Sequence, residues 1–178
     1  MQHIGVFLSA NDGLPAAYAK AAEELGTWIG RTGRTLVYGG SSRGLMDVIG
    51  RAVKQHGGRT VGVVPQILYD KGWDAKDLDV SIPTADLTDR KVQLIEQSDV
   101  LVALPGGIGT LDELFTAIGI GAIGLAAKPV VIYNVEGCWD SLIKLIDDLS
   151  ANRLLRPGAR QLLSVADTFD GLTALLER

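Results

Sequence analysis

The residues with the clearest potential for chemistry lie in one stretch, from Val100 to Phe115. It reads Val-Leu-Val-Ala-Leu-Pro-Gly-Gly-Ile-Gly-Thr-Leu-Asp-Glu-Leu-Phe. The apolar start is short and rich in β-branched residues, which predicts a strand buried on both faces. Gly106, Gly107 and Gly109 then predict a tight turn, and Thr110 is a candidate cap for the helix that follows. Backbone N–H groups converge at such a helix start, so we expect this turn to bind an anion, and phosphate is the expected anion.

Two carboxylates, Asp112 and Glu113, follow in what we expect to be the first helical turn. Stabilisation of the helix dipole, ~0.3 to 1 kcal/mol for each, would explain them without any function. A carboxylate beside a bound phosphate would repel the phosphate unless it faced another part of the ligand. The alternative, given equal weight, is that Glu113 points at the sugar carbon of a bound nucleotide.

The composition is typical of an α/β protein, and we expect one domain over residues 1–178. The net charge of -4 leaves no broad basic surface, so nucleic acid is not an expected partner. The chain shows no secretory signal and no apolar run of membrane-spanning length, which predicts a cytoplasmic protein with no membrane partner. Cys138 is the single cysteine and is expected to be a packing residue. A single cysteine cannot form an internal disulfide. With only two histidines in the chain, we also expect no metal site, and we expect no cofactor.

Strand and helix patterns alternate along the chain. This alternation predicts a Rossmann-like, doubly wound, mostly parallel sheet with helices on both faces. The segment from Ile67 to Asp79 is expected to be an irregular surface segment, in the position of a lid over the site. The expected strands are His3–Leu8, Thr35–Tyr38, Thr60–Val64, Val80–Ile82, Val100–Leu104, Pro129–Tyr133 and Leu162–Val165.

Polar and glycine residues also follow the first two strands. Ser9 and Asn11 come directly after the first strand, although turn formation alone explains them about as well as ligand contact. Gly39, Gly40 and Ser41 form a second glycine turn after the second strand. Parallel strands end at the same edge of a sheet, so we expect two anion cradles side by side at this edge.

Three basic residues are candidates for the same pocket. Arg43 in the second turn could bind phosphate with its fork of donors, but a solvent-facing arginine is the commoner case. Arg90 and Lys91 fall in the first turn of a helix that Asp86 or Thr88 is expected to cap. Basic residues there oppose the helix dipole without an evident structural gain, which is a weak indication of function.

These motifs resemble those of a known family. Pro105-Gly-Gly-Ile-Gly-Thr-Leu-Asp-Glu113 matches the pattern P-G-G-x-G-T-x-x-E, and Arg90-Lys91 matches the end of M-x-x-R-K. Tyr38-Gly-Gly with Gly44-Leu-Met46, and Arg156-Pro157, resemble two further turns of that family. The sequence is similar to the Lonely Guy family of cytokinin riboside 5′-monophosphate phosphoribohydrolases, whose members are often mislabelled as lysine decarboxylases.

The resemblance implies hydrolysis of the N-glycosidic bond of an N6-modified adenosine monophosphate, giving free base and ribose 5-phosphate. It implies that Glu113 is the catalytic carboxylate and Arg90 its catalytic partner, with the 5′-phosphate on the glycine turns. The expected small-molecule partner is thus a nucleoside 5′-monophosphate. Together with the residues found from the pattern, the expected substrate-binding set is Ser9, Asn11, Gly39, Gly40, Ser41, Lys91, Pro105, Gly106, Gly107, Gly109 and Thr110.

The sequence departs from the family pattern in several places. Leu87 replaces a methionine, Leu8-Ser-Ala-Asn11 replaces C-G-S-S, and Ser41 replaces a glycine. After the glutamate, Gly119-Ile-Gly-Ala-Ile123 replaces T-W-x-Q-L, two helical turns beyond Glu113 on the same face. We expect this last change to affect which nucleobase the pocket accepts more than which bond is hydrolysed.

Other classes of function are weighed against the hydrolase. A non-catalytic nucleotide-binding module would need neither Arg90 nor Glu113, and both are present, so the enzyme is favoured. A subunit acting mainly through partners stays an alternative. A nicotinamide dehydrogenase fits poorly because no G-x-G-x-x-G follows the first strand, and a pyridoxal-dependent decarboxylase lacks a recognisable Schiff-base lysine site.

The helix after Phe115 is expected to form a dimer contact. Gly119, Gly121 and Gly124 would each weaken it by ~1 kcal/mol relative to alanine, so we expect another backbone to lie close and offset this. The family resemblance also implies homodimers or larger assemblies. The sequence therefore predicts a two-fold homodimer that packs this helix against its symmetry mate.

Overall fold

The helices and strands follow the order that the sequence patterns predict, with one exception. The segment Ile67 to Asp79, expected to be irregular, begins within a short helix, Gln66–Asp70, that follows Pro65. The structure is a computed structural model that describes residues 1–156 and 158–178. The strands are β1 His3–Phe7, β2 Thr35–Tyr38, β3 Arg59–Pro65, β4 Val80–Thr84, β5 Val100–Ala103, β6 Val130–Tyr133 and β7 Leu163–Ala166. The α-helices are α1 Ala16–Arg31, α2 Gly44–Gln55, α3 Gln66–Asp70, α4 Leu87–Glu96, α5 Ile108–Ala122, α6 Asp140–Ala151 and α7 Phe169–Leu176. The predicted turn at Arg156-Pro157-Gly158 includes Pro157, which lies outside the described residues.

The described strands form one sheet in the order β4-β3-β2-β1-β5-β6-β7, and each neighbouring pair is parallel. The chain winds outward from β1 to β4, then returns to the other side of β1 and winds outward again through β7. This doubly wound topology confirms the predicted Rossmann-like fold. Pro83 lies within β4 at the edge of the sheet, where a missing N–H breaks no ladder.

Side chains of the central strands alternate between two apolar cores. Ile4 and Val6 of β1 pack with α1, α2 and α7 on one face. Phe7 packs with residues of α4, α5 and α6 on the other face. Because both faces are covered, these strands are apolar at nearly every position, as in parallel sheets generally. Within the described residues, no helix combines the length and the apolar character that crossing a membrane requires.

The winding direction reverses between β1 and β5, which pair with Ile4 opposite Val100. The loops that leave the carboxyl ends of these two strands diverge, so a crevice opens between them. Open α/β sheets bind their ligands at such a point. The loop after β1 and the first glycine turn after β5 both end at this crevice.

Helix α5 begins earlier than the sequence predicts. Its first residue is Ile108, and Gly107 precedes it without a side-chain cap. The prediction that Thr110 caps this helix is wrong, because Thr110 is already its third residue and is buried. Asp112 and Glu113 consequently lie in the second turn, where the helix dipole stabilises a carboxylate less than at the helix start.

The three glycines after Phe115 differ in their surroundings. Gly124 follows the helix with φ +79°, and its N–H donates to the carbonyl of Gly121, so it ends the helix and does not weaken it. A Cβ on Gly121 would lie 2.6 Å from Cδ1 of Leu162 in the same chain. Gly119 has open space around it. Gly124 is equally open but lies beyond the helix. Of the two glycines within the helix, Gly119 is the one that leaves room for a second subunit.

Cys138 packs against the core of α4, α5 and α6 and is half-buried. Burial raises the pKa of its thiol to about 11. The residue therefore carries a protonated thiol at neutral pH, as expected of a packing residue.

Candidate functional site

The N-terminus of α5 presents unpaired backbone donors in the crevice. The N–H of Leu111 donates to the carbonyl of Gly107 at 3.1 Å. In the described part of the chain, the N–H groups of Ile108, Gly109 and Thr110 have no acceptor. A Cβ on Gly107 or Gly109 would meet open space, so packing within the chain does not require glycine there. An anion can approach these donors closely, and the helix dipole favours it.

The second glycine turn is not a free cradle. Oδ1 of Asp12 accepts a hydrogen bond from the N–H of Gly44 at 3.1 Å, at the start of α2. The carbonyl of Ser9 accepts from the N–H of Leu45 at 3.0 Å. The protein's own groups therefore occupy this helix start. Of the two predicted anion cradles, the second is thus partly filled at its helix start, and the turn before α5 is the more open one.

Gly39 and Gly40 shape the site from outside the cavity. A Cβ on Gly39 would overlap Nη2 of Arg90, so this glycine leaves room for the guanidinium. Gly40 has φ +63°, and a Cβ on it would lie 2.6 Å from Cγ2 of Val64. We expect these glycines to position the site and not to hold phosphate directly.

The first turn of α4 brings Arg90 to Glu113. The carboxylate of Asp86 accepts from the N–H of Thr88 and of Asp89, and thereby caps α4, which confirms one of the two predicted caps. Nε of Arg90 donates to the carbonyl of Val63 at 3.2 Å. Its Nη1 lies 3.7 Å from Oε1 of Glu113, and both side chains are largely buried. The arginine that opposes the dipole of α4 thus compensates a buried charge on α5.

Burial determines the protonation of Glu113. Desolvation raises its pKa to about 7, against the attraction of Arg90, while the nearby Asp112 raises it further. A carboxyl group with this pKa exchanges protons readily at neutral pH, which suits a general base. Strongly shifted carboxyl groups in clefts are typical of catalytic sites.

Lys91 lies beside this pair and not in the cavity. Its Nζ donates to both carboxylate oxygens of Asp112, at 2.8 and 2.9 Å. The ion pair joins α4 to α5 and partly neutralises the charge next to Glu113. Its position supports an indirect role for Lys91.

Two connected cavities occupy the crevice. The smaller, of about 250 Å³, contains the start of α5 together with Ser9, Asn11, Arg90 and Glu113. The larger, of about 660 Å³, continues beyond Arg90 and is lined by Ser41 among others. Anion donors, a protonatable carboxyl group and a guanidinium therefore face one space.

The remaining predicted residues form the walls of this space. Pro105 is buried, and its carbonyl accepts from the N–H of Ser9 at 3.3 Å, which joins the two loops of the crevice. A Cβ on Gly106 would overlap Oγ1 of Thr110, so this glycine lets the threonine side chain pack inward. The hydroxyl of Ser9 accepts from the N–H of Asn11 at 3.1 Å.

Seven residues line the cavities although the sequence interpretation did not assign them to the site: Leu8, Ala10, Asp12, Met46, Leu68, Trp73 and Ile108. Asp12 and Ala10 share a loop with the predicted Ser9 and Asn11, and that proximity was an available signal. Leu68 and Trp73 lie on the segment expected to be irregular. Hydrogen bonds hold this segment in place, since the N–H and hydroxyl of Ser42 donate to the carbonyl of Trp73.

The fold and the crevice define a Rossmann-like protein with an open helix N-terminus at the switch point of its sheet. Comparison with known sequences agrees: residues 46–176 match the family described as "Possible lysine decarboxylase". The probable cytokinin riboside 5′-monophosphate phosphoribohydrolase LOGL6 of Oryza sativa subsp. japonica is 36% identical over 99% of this chain and 70% of its own. The cytokinin riboside 5′-monophosphate phosphoribohydrolase LOG1 of Arabidopsis thaliana is 36% identical over 99% and 83%. The chain belongs to this family, the Lonely Guy family, which confirms the resemblance.

Solved structures share the architecture over the whole chain. The molybdenum cofactor carrier protein of Chlamydomonas reinhardtii has a TM-score of 0.77 and 28% identity, covering 99% of this chain and 96% of that one. The molybdenum cofactor binding protein of Rippkaea orientalis has a TM-score of 0.74 at 23% identity, covering 99% and 95%. At 23% identity, the likeness to the Rippkaea orientalis protein shows the fold alone.

We expect the burial of Glu113 to cost stability at high pH. Because its pKa is raised in the folded state, the neutral form is favoured. The loss of unfolding free energy caused by burying the ionised carboxylate is absent below about pH 4.5. It grows as the pH rises and is complete above about pH 7. Glu113→Gln should therefore be more stable than the parent at pH 8, by on the order of 3 kcal/mol, with the difference vanishing near pH 4.5. Denaturant unfolding across this pH range measures it, with the exposed Glu96→Gln as control. An equal gain at both pH values would contradict the argument.

Gly39→Ala tests the placement of Arg90. The new methyl group would displace the guanidinium, so we expect activity on a nucleoside 5′-monophosphate to fall by about 100-fold while the fold persists. Gly121→Ala is the matched control, because its methyl group presses on Leu162 away from the site. Steady-state kinetics and thermal unfolding of both variants decide the matter. Equal losses of activity in the two would show a general effect on stability.

Proposed function

We propose that this protein hydrolyses the N-glycosidic bond of a 6-aminopurine nucleoside 5′-monophosphate, including N6-modified forms, to free base and ribose 5-phosphate. The observation that carries the proposal is the joint presence of Glu113, Arg90 and the open start of α5 in one cavity. The names of the plant relatives support it.

The geometry suggests how the substrate is oriented. The 5′-phosphate would accept hydrogen bonds from the backbone at Gly107, Gly109 and Thr110. Within the described residues, the N–H groups of Gly109 and Thr110 have no protein acceptor. The ribose would then lie over Glu113, two turns into the same helix. The phosphate supplies binding energy away from the reacting carbon, and this energy can hold the sugar in its reactive position.

Glu113 would act on the sugar. As the bond between C1′ and the base nitrogen breaks, its electron pair leaves with the base and positive charge develops on the sugar. An ionised Glu113 stabilises this charge in a site of low dielectric. The carboxylate also orients a water molecule, whose oxygen bonds to C1′ and whose proton Glu113 accepts. This proton then passes to the departing base nitrogen, which gives the neutral free base and restores the carboxylate. Arg90 keeps a fraction of Glu113 ionised at neutral pH by opposing the effect of burial.

A non-catalytic binding module and a subunit that acts only through partners would both keep the glycine turn before α5. Neither would need the pair of Glu113 and Arg90. A binding module would need no carboxyl group buried against an arginine, since that burial costs stability. The pair therefore favours the hydrolase over a carrier of similar fold and over a subunit that acts only through partners.

Release of base should depend on both the phosphate and Glu113. We expect purified protein to release base from a purine nucleoside 5′-monophosphate, and the corresponding nucleoside to react at least 100-fold more slowly. Glu113→Gln should abolish turnover and keep nucleotide binding, because the amide retains the shape without the charge. Chromatography of free base and calorimetric titration measure the two effects. Binding without turnover in the parent protein would favour the module instead, and equal rates without the phosphate would remove the role of the glycine turn.

The assembly we propose is a two-fold homodimer through α5, and the expected location is the cytoplasm. The exposed side of α5 carries Ile108, Phe115 and Ile123 around the open Gly119. Their spacing of seven and eight residues places them along one stripe of the helix. Two such stripes can pack closely where Gly119 lacks a side chain, and this would cover apolar surface that a single chain exposes.

Phe115→Arg should convert this dimer to monomers, because a charge would be buried in an apolar contact. Light scattering at micromolar concentration is expected to give the mass of two chains for the parent and of one for the variant. Leu145→Arg is the control, since Leu145 is an exposed apolar residue on a different helix, α6, and should leave the mass unchanged. A monomeric parent protein would exclude the dimer, and a dimeric Phe115→Arg would place the contact elsewhere.

A further inference from the structure

If the protein acts on the substrate proposed above, the larger cavity is where the base of that substrate would bind. The following inference therefore rests on the proposed function. The two cavities share Ala10, Asn11, Met46 and Arg90, so they form one continuous space. A nucleotide with its phosphate on α5 and its ribose at Glu113 extends past Arg90. Its base and any N6 substituent then enter the cavity of about 660 Å³.

Arg43 and Trp73 meet in the wall of this cavity. The guanidinium carbon of Arg43 lies 4.8 Å from the centroid of the Trp73 ring, and Nη2 lies 3.5 Å from Oδ2 of Asp12. Nζ of Lys71 lies 4.6 Å from the same ring centroid. The aromatic surface in the wall of this cavity is thus bordered by two cations, and the Asp12 carboxylate lies next to Arg43.

This arrangement is held in place by the backbone. Arg43 is the residue that precedes α2, and Asp12 accepts from the first N–H of that helix. The Trp73 segment is joined to the second glycine turn at Ser42, and the N–H of Ala75 donates to the carbonyl of Gly40 at 2.7 Å. Both partners of the contact are therefore positioned before a ligand arrives.

We propose that Arg43, resting on Trp73, determines which base this protein accepts. Its planar guanidinium stacks on the face of a purine, as arginine does in nucleotide recognition. The favoured bases are a 6-aminopurine without substituent or with a polar N6 group, which leaves Arg43 and Asp12 in contact with water or with hydrogen-bonding groups. An apolar chain on N6 would cover these two charges and remove their water, which is unfavourable.

The test compares AMP with N6-isopentenyl-AMP in the parent protein and in Arg43→Leu. We expect the parent to have the higher kcat/KM for AMP, and the ratio of the two values to fall at least tenfold in Arg43→Leu. Trp73→Leu should shift the ratio in the same direction, because it removes the surface on which Arg43 rests. Arg51→Leu is the matched control, since Arg51 lies on α2, pairs with Asp47 at 2.6 Å and is absent from the cavity walls.

A parent that prefers N6-isopentenyl-AMP, or a ratio that changes less than tenfold in Arg43→Leu, would overturn the proposal. Binding of AMP and of N6-isopentenyl-AMP can also be compared by calorimetry in Glu113→Gln, alone and combined with Arg43→Leu. This measurement does not depend on turnover. Absence of base release from any nucleotide would refute the proposed function, and the binding ratio would then decide the role of Arg43. Base release with an unchanged preference would refute the role of Arg43 alone.

Discussion

The burial of one carboxyl group, that of Glu113, is the constraint on which the site depends. Desolvation disfavours its charge, and Arg90 opposes that effect from 3.7 Å away. Arg90 can take this position only because Asp86 caps α4, the carbonyl of Val63 accepts from its Nε, and Gly39 has no side chain. Four separate segments of the chain therefore determine the protonation state of Glu113.

The two glycine turns have the same local chemistry and different uses. Each follows a central strand and leads into a helix, but Asp12 fills the start of α2 while the start of α5 stays open. The carboxyl oxygen of Asp12 also takes the place that an anion would occupy at the second helix start. In the proposed binding mode the phosphate would lie at the start of α5, and the rest of the nucleotide would extend toward Glu113 and the larger cavity.

The likeness to molybdenum cofactor carriers shows how little of the function the fold determines. The same parallel sheet, with its crevice at the switch point, suits carriers of a cofactor and proteins named as phosphoribohydrolases. In this chain the side chains that favour the proposed hydrolysis are above all Glu113 and Arg90, which meet in one cavity. The wall formed by Arg43 and Trp73 lies on loops, where such folds vary their ligand contacts most freely.

The sequence by itself determined the order of strands and helices, the doubly wound sheet and the motif with Glu113 and Arg90, because hydrophobic period and glycine spacing are local properties. It did not determine the start of α5. In the structure Thr110 packs against Gly106, and its side chain makes no capping hydrogen bond. Nor could it show that Asp12 fills the second helix start, or that Gly121 faces Leu162. These contacts join residues more than 30 positions apart, and only the tertiary structure brings such residues within reach of each other.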